Sequence, residues 1–144
     1  MNISKFTQKS LEAVERCEKL AYEYGNQEIE QEHLLYSLLT IADSLILKLI
    51  EKMEINTEHF VNRSRQALEK RVKVQGGQVY MGKDLNKALI SAEEEARQMG
   101  DEYVSVEHLF LTMLKYPSRE IRAIWQEYGI TRERFLQALS TVRG

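Results

Sequence analysis

The chain repeats itself. Shifting the 144-residue sequence by 75 positions superposes its two halves without a gap. Gly25 falls on Gly100, and Glu32-His33-Leu34 falls on Glu107-His108-Leu109. Leu39 meets Leu114, Ile46 meets Ile121, Ile55 meets Ile130, Glu58 meets Glu133 and Phe60 meets Phe135. Similar residues fill the gaps, as in Ile29 with Val104, Leu38 with Met113 and Leu49 with Ile124. The matches sit mostly at apolar and turn positions, so both halves must bury the same faces and fold alike.

Within each half the apolar residues recur at helical spacing. In the first, residues 7–24 carry Leu11, Val14, Cys17 and Ala21, with Gly25 as a left-handed stop. Helices over 30–40, 44–53 and 57–71 follow, and the second half gives 84–99, 105–115, 118–128 and 131–142. Ser105 and Thr131 read as N-caps, Gly100 and Gly129 as C-caps, and the single proline, Pro117, falls between helices. No segment alternates apolar and polar residues long enough for a sheet. The expected fold is all-α: two pseudo-repeated four-helix subdomains, repeat one over 1–71 and repeat two over 84–144, joined by a short extended linker over 72–83.

Composition narrows the function. With 43% hydrophobic and 29% charged residues the chain has the makeup of a globular domain, not a disordered tail. Its formal charge of −2 lacks the basic excess of a nucleic-acid binder. No stretch approaches the 18 or so apolar residues of a membrane span, and the N-terminus shows no secretory h-region, so a cytoplasmic setting is expected. A lone cysteine, Cys17, excludes an internal disulfide and a cysteine-based zinc site.

The chemistry-bearing motifs are weak one by one. Gly77-Gln-Val-Tyr-Met-Gly82-Lys83 has the skeleton of a phosphate-binding loop, but Asp84 stands where the motif needs a hydroxyl and no buried strand precedes it. The Glu32-His33 and Glu107-His108 pairs lack a second histidine four residues on, where Ser37 and Thr112 stand, so no metal is expected. Each glutamate suits the first turn of a helix, and each could also receive a guanidinium or ammonium group. Cys17 lies on an apolar stripe and reads as a small core residue, as do Ile124 and Trp125. The basic run Glu69-Lys70-Arg71-Val72-Lys73 suits a solvated helix end. No nucleophile–base or paired-carboxylate arrangement emerges, so the chain is not expected to be an enzyme.

Taken together, Lys5-Phe6-Thr7-Gln8-Lys9-Ser10-Leu11, the doubled Glu-His-Leu segments and Gly-Gly-Gln-Val-Tyr-Met before Lys83-Asp84-Leu85 resemble the Clp N-terminal repeat domain of ClpB-type AAA+ disaggregases over essentially the whole chain. The resemblance implies a parent whose ATPase modules, with their ATP and Mg²⁺, lie outside this chain, which itself would carry no cofactor. It implies a homohexameric ring that threads aggregated polypeptide and works with a DnaK-type chaperone, while this domain, by itself a monomer, captures unfolded polypeptide or adaptor proteins. The more distant relatives are ClpC-type unfoldases; a plain helical spacer is a further alternative.

Site residues follow from the same resemblance. It assigns substrate binding to Thr7, Asp101 and Glu107, and places a groove at Ser91, Glu95 and His108, where some members have leucines; the groove here is therefore expected to be more polar. A ClpC-like phosphoarginine or adaptor site would use Thr7 and Glu32, 25 residues apart; the second repeat has Gly82 in place of the threonine, with Glu107.

Overall fold

Capping side chains set the helix starts. In the computed structural model, which describes residues 2–143, Thr7 caps α1 (Gln8–Glu23) by accepting the Ser10 N–H, Ser44 caps α3 (Leu45–Lys52) and Asn56 caps α4 (Thr57–Glu69). The second repeat supplies α5 (Lys83–Gln98), α6 (Val106–Lys115), α7 (Arg119–Tyr128) and α8 (Arg132–Arg143), with Thr131 accepting the Arg134 N–H ahead of α8. Together with α2 (Gln31–Thr40), these are the eight helices the periodicity predicts. A single 3₁₀ turn, Ile3–Lys5, precedes α1.

The two central helices are apolar almost all round, and that decides the architecture. In α2 the buried set includes Leu34, Leu35, Leu38 and Leu39; in α6 it includes Leu109, Phe110, Leu111 and Met113. A helix without a polar face must be wrapped on every side. Each is packed by its own repeat and also by the other, α2 touching α5 and α7, and α6 touching α1 and α3. One continuous core results, with Phe110 stacked on Phe135 at 4.4 Å and tilted against Trp125 at 5.0 Å. Among the described residues no single helix is long and apolar enough to cross a membrane.

The halves are also cross-braced. Residues Tyr80–Met81 (β2), just before α5, pair in parallel with Glu28–Ile29 (β1) of the first repeat. Reciprocally, Phe6 before α1 bridges in parallel to Val104 of the second repeat. The Gly82 N–H donates to Ile29 O at 2.7 Å and the Thr7 N–H to Val104 O at 2.9 Å, the same bond 75 residues apart. The sequence shows no sheet because two-residue strands leave no period to read.

Beside β2 the two junctions differ. The buried Glu30 carboxylate caps α2 through Gln31 N–H and also accepts Asp84 N–H (3.1 Å) and Leu85 N–H (2.8 Å) at the start of α5. Burial pushes its pKa up although these N–H groups pull the other way. Gln31, fully buried, completes the seam: its amide donates to Asp84 O and Tyr116 O and accepts from Ser118 N–H.

Candidate functional site

The doubled Glu-His segments are capping devices. His33 Nδ1 accepts the Glu30 N–H at 2.9 Å, and His108 Nδ1 accepts the Ser105 N–H at 2.9 Å, each histidine taking the third position of a capping box. With Nδ1 accepting, Nε2 carries the proton; it donates to Asn26 Oδ1 (2.9 Å) in one repeat and to Asp101 Oδ2 (2.7 Å) in the other. Both rings are fully buried. Burial first, then the charge of Arg71, pushes the His33 pKa down to about 4, so it is neutral at pH 7. Ser37 and Thr112 tie the central helices to their neighbours, donating to Ala13 O (2.7 Å) and Ala88 O (2.8 Å). All ring nitrogens of both segments are thereby taken.

The two glutamates do receive guanidinium groups, and the chain provides them. Arg71, just beyond α4, donates to Glu32 and Glu28, both at 2.7 Å. Arg143, the last residue of α8, donates to Glu107 at 3.2 Å and Asp101 at 2.7 Å. Each repeat thus closes the end of its fourth helix onto the start of its second. Burial favours the neutral Asp101, but its bonds to Arg143 and His108 outweigh that and hold its carboxyl below the usual carboxylate range.

Of the residues singled out in the sequence, Thr7, Asp101, Glu107 and His108 converge on residues 101–108, Thr7 through its bond to Val104. Ser91 is half-buried on α5. Two expectations need correction. Glu95 is 1% exposed and gives its carboxylate to Arg132 of α8 at 3.1 and 2.9 Å, and His108 is sealed beneath its cap. Neither side chain lines an open groove, because a buried polar or charged group must find a partner and both have found theirs inside, Arg132 for Glu95 and the Ser105 N–H and Asp101 for His108. Thr7 and Glu32 do not form a pair either. The swapped strands carry Thr7 to the second repeat, its bonds going to Ser10 and Val104, while Glu32 is held by Arg71. Cys17 is a core residue whose thiol burial pushes up to about 12.

What is open beside Asp101 is a hollow of about 250 Å³ whose lining includes Lys5, Glu93, Arg97, Asp101, Glu102 and Val104. Tyr103 in its wall segment is 50% exposed and Ile3, two residues before Lys5, 53%. Arg97, Glu102, Tyr103 and the clamp Arg143 carry no motif in the sequence, and Lys5 stands in the Lys5–Leu11 motif without a site role.

Two four-helix repeats sharing one core and exchanging their short strands make this a duplicated all-α repeat domain. The chain belongs to the Clp repeat (R) N-terminal domain family, whose model matches residues 5–128. It is 38% identical over 150 residues to the chaperone protein ClpB of Nitratidesulfovibrio vulgaris and 31% identical over 149 residues to ClpB of Bacillus cereus. Both alignments take in all of this chain and 17% of the relative, so the chain spans about a sixth of their length. Among solved structures it is similar to the Hsp104 N-terminal domain of Candida albicans (TM-score 0.83, 20% identity, 97% of this chain and 92% of that one). It is also similar to a ClpV N-domain in complex with a VipB peptide (TM-score 0.73, 22% identity, 96% and 89%). These likenesses bear on the fold.

Proposed function

We propose that the chain is the substrate- or adaptor-binding domain of an ATP-dependent disaggregating chaperone of the ClpB type, holding unfolded polypeptide weakly for a cytoplasmic hexameric ring that threads it in cooperation with a DnaK-type chaperone. The observation that supports this reading best is the Asp101 hollow in a family member whose relatives are ClpB chaperones and whose structural neighbour holds a peptide. Its chemistry suits an extended segment. Tyr103 and Ile3 offer apolar contact, and Glu93, Asp101 and Glu102 outnumber Lys5 and Arg97, so a segment with an apolar anchor and basic flanks is favoured. A shallow site of this kind binds weakly, and six tethered copies raise effective concentration without trapping the cargo.

Titrating the ¹⁵N-labelled domain with a permanently unfolded polypeptide tests this. Amide shifts at Thr7, Asp101, Glu102 and Tyr103 are expected, reduced by Asp101→Asn. No shifts in that segment would overturn the reading.

A further inference from the structure

The duplication produces a second hollow at the position equivalent to the first. Residues 21, 22, 26 and 27 line it, and adding 75 gives 96, 97, 101 and 102, which line the Asp101 hollow. The backbone frame is the same: Gly25 and Gly100 both have positive φ, and the wall opposite α1 is completed by the strand segment before α5, as that opposite α5 is by the segment before α1. The side chains have diverged. Arg97 is matched by Tyr22, Asp101 by Asn26 and Glu102 by Gln27, while Val74 and Val79 close the other side. The Asp101 hollow carries five charged groups; this one, of about 180 Å³, is lined by none.

Apolar surface gathers at the same place. Tyr22 is 58% exposed, Val74 42%, and Val72, Tyr80 and Met81 lie exposed along the same connecting segment. Of these, Tyr22 and Val74 line the hollow itself, and the other three stand on the connecting segment beyond its lining. Single exposed hydrophobics are ordinary; two that line one preformed, uncharged hollow together offer a docking surface.

We infer that the Tyr22 hollow is a second peptide-docking site, taking an extended segment that bears an apolar anchor and no charged flanks. Charge matching names the occupant. An anion or cation entering here finds no opposite charge in the lining and loses its water without compensation, whereas an uncharged apolar segment loses little. The Asn26 amide is already committed, donating to Val72 O and accepting Nε2–H of His33, so this lining residue is internally satisfied and contact by area is favoured beside it. The duplicated fold thus presents one charged and one neutral hollow, which together suit the two kinds of segment, basic–apolar and purely apolar, that an unfolded chain exposes. The existence of the neutral site does not depend on the function proposed for the Asp101 hollow.

Two synthetic twelve-residue peptides test this, each with one central Leu-Phe anchor, one flanked by Ser and Gln, the other by Arg. Both are titrated into the ¹⁵N-labelled domain. The uncharged peptide should shift the amides of Tyr22, Val74 and Val79, and Val74→Asp should weaken it at least about tenfold while Asp101→Asn leaves it unchanged. The Val74→Asp spectrum without peptide shows whether the variant is folded; Tyr22→Ser on the facing helix repeats the test independently. Shifts confined to the Asp101 hollow with either peptide, or an uncharged peptide that ignores both variants, would overturn the inference while leaving the first site standing. Binding of only the uncharged peptide at Tyr22 would uphold it and remove the first site.

Discussion

Glu30 fills the space that a side chain at position 82 would need: a Cβ built on Gly82 would overlap the Glu30 carboxylate. At the equivalent junction the partners are Thr7 and Ser105, a larger residue facing a smaller one. The duplication has kept the joint and exchanged which side supplies the bulk. The carboxylate is a flexible side-chain end, but three N–H groups hold it in place. Gly82→Thr should therefore cost about 2–3 kcal/mol by displacing a buried, bonded group. Glu30→Ser with Gly82→Thr rebuilds the other junction and should recover most of that loss. Urea midpoints of the two single variants and the double variant measure the coupling; simple additivity would refute the exchange.

A second cycle concerns the buried ion pair. Arg132→Met leaves Glu95 charged and unpartnered at 1% exposure, so a loss of about 3 kcal/mol is expected. Adding Glu95→Leu replaces the whole pair by apolar packing, and stability should return to within about 1 kcal/mol of the starting protein. A double variant as unstable as the single one would mean that the pair positions α8 against α5 in a way packing cannot replace.

The fold was legible because a repeat doubles every signal. Eight helices, the caps Ser105, Thr131 and Gly129 and the burial of Cys17 and Trp125 can be read from apolar spacing and from Ser, Thr and Gly at helix ends. Glu30 and Asn56, which cap α2 and α4, fall outside that reading. The swapped strands escape such reading, since two paired residues carry no period. The site was legible only in part. Asp101, Glu107 and Thr7 fall together, but Glu95 and His108 are polar residues that sequence reasoning puts on a surface and the fold puts inside. The partners that bury them, Arg132 for Glu95 and the Asp101 carboxylate for His108, stand 37 and 7 residues away. A capping box with histidine at its third position also differs from the usual Glu or Gln and so reads first as a metal motif.

Repeat symmetry exposes a local cost as well. Gly129 ends α7 at φ 63°, and its equivalent 75 residues earlier, Glu54, adopts the same φ of 63° with a full side chain. A left-handed conformation disfavours any residue with a Cβ by about 1 kcal/mol. Glu54 is exposed and makes no ion pair among the described residues, so its side chain contributes little in return. Glu54→Gly should raise stability by about 0.5–1 kcal/mol, less whatever glycine adds to the flexibility of the unfolded chain. Thermal unfolding of the two proteins side by side decides it, and a lowered midpoint would show that Glu54 serves some contact beyond the turn.

His33 gives the domain a pH dependence of definite sign. Its pKa is about 4 in the folded state against 6.5 when free, so the folded form favours the neutral ring. The stabilisation is complete above pH 6.5 and is lost progressively as the pH falls toward 4, because the unfolded chain then binds a proton that the folded chain refuses. Each unit of that interval is worth about 1.4 kcal/mol, so going from pH 7 to pH 5 should remove about 2 kcal/mol. Asp101, held below the usual carboxylate range, adds its loss at lower pH, outside this window. His33→Gln keeps a capping-box residue at the third position of α2 and does not titrate. Urea unfolding of both proteins at pH 7 and pH 5 should show the variant losing markedly less. Equal losses would mean that His33 does not carry the pH dependence.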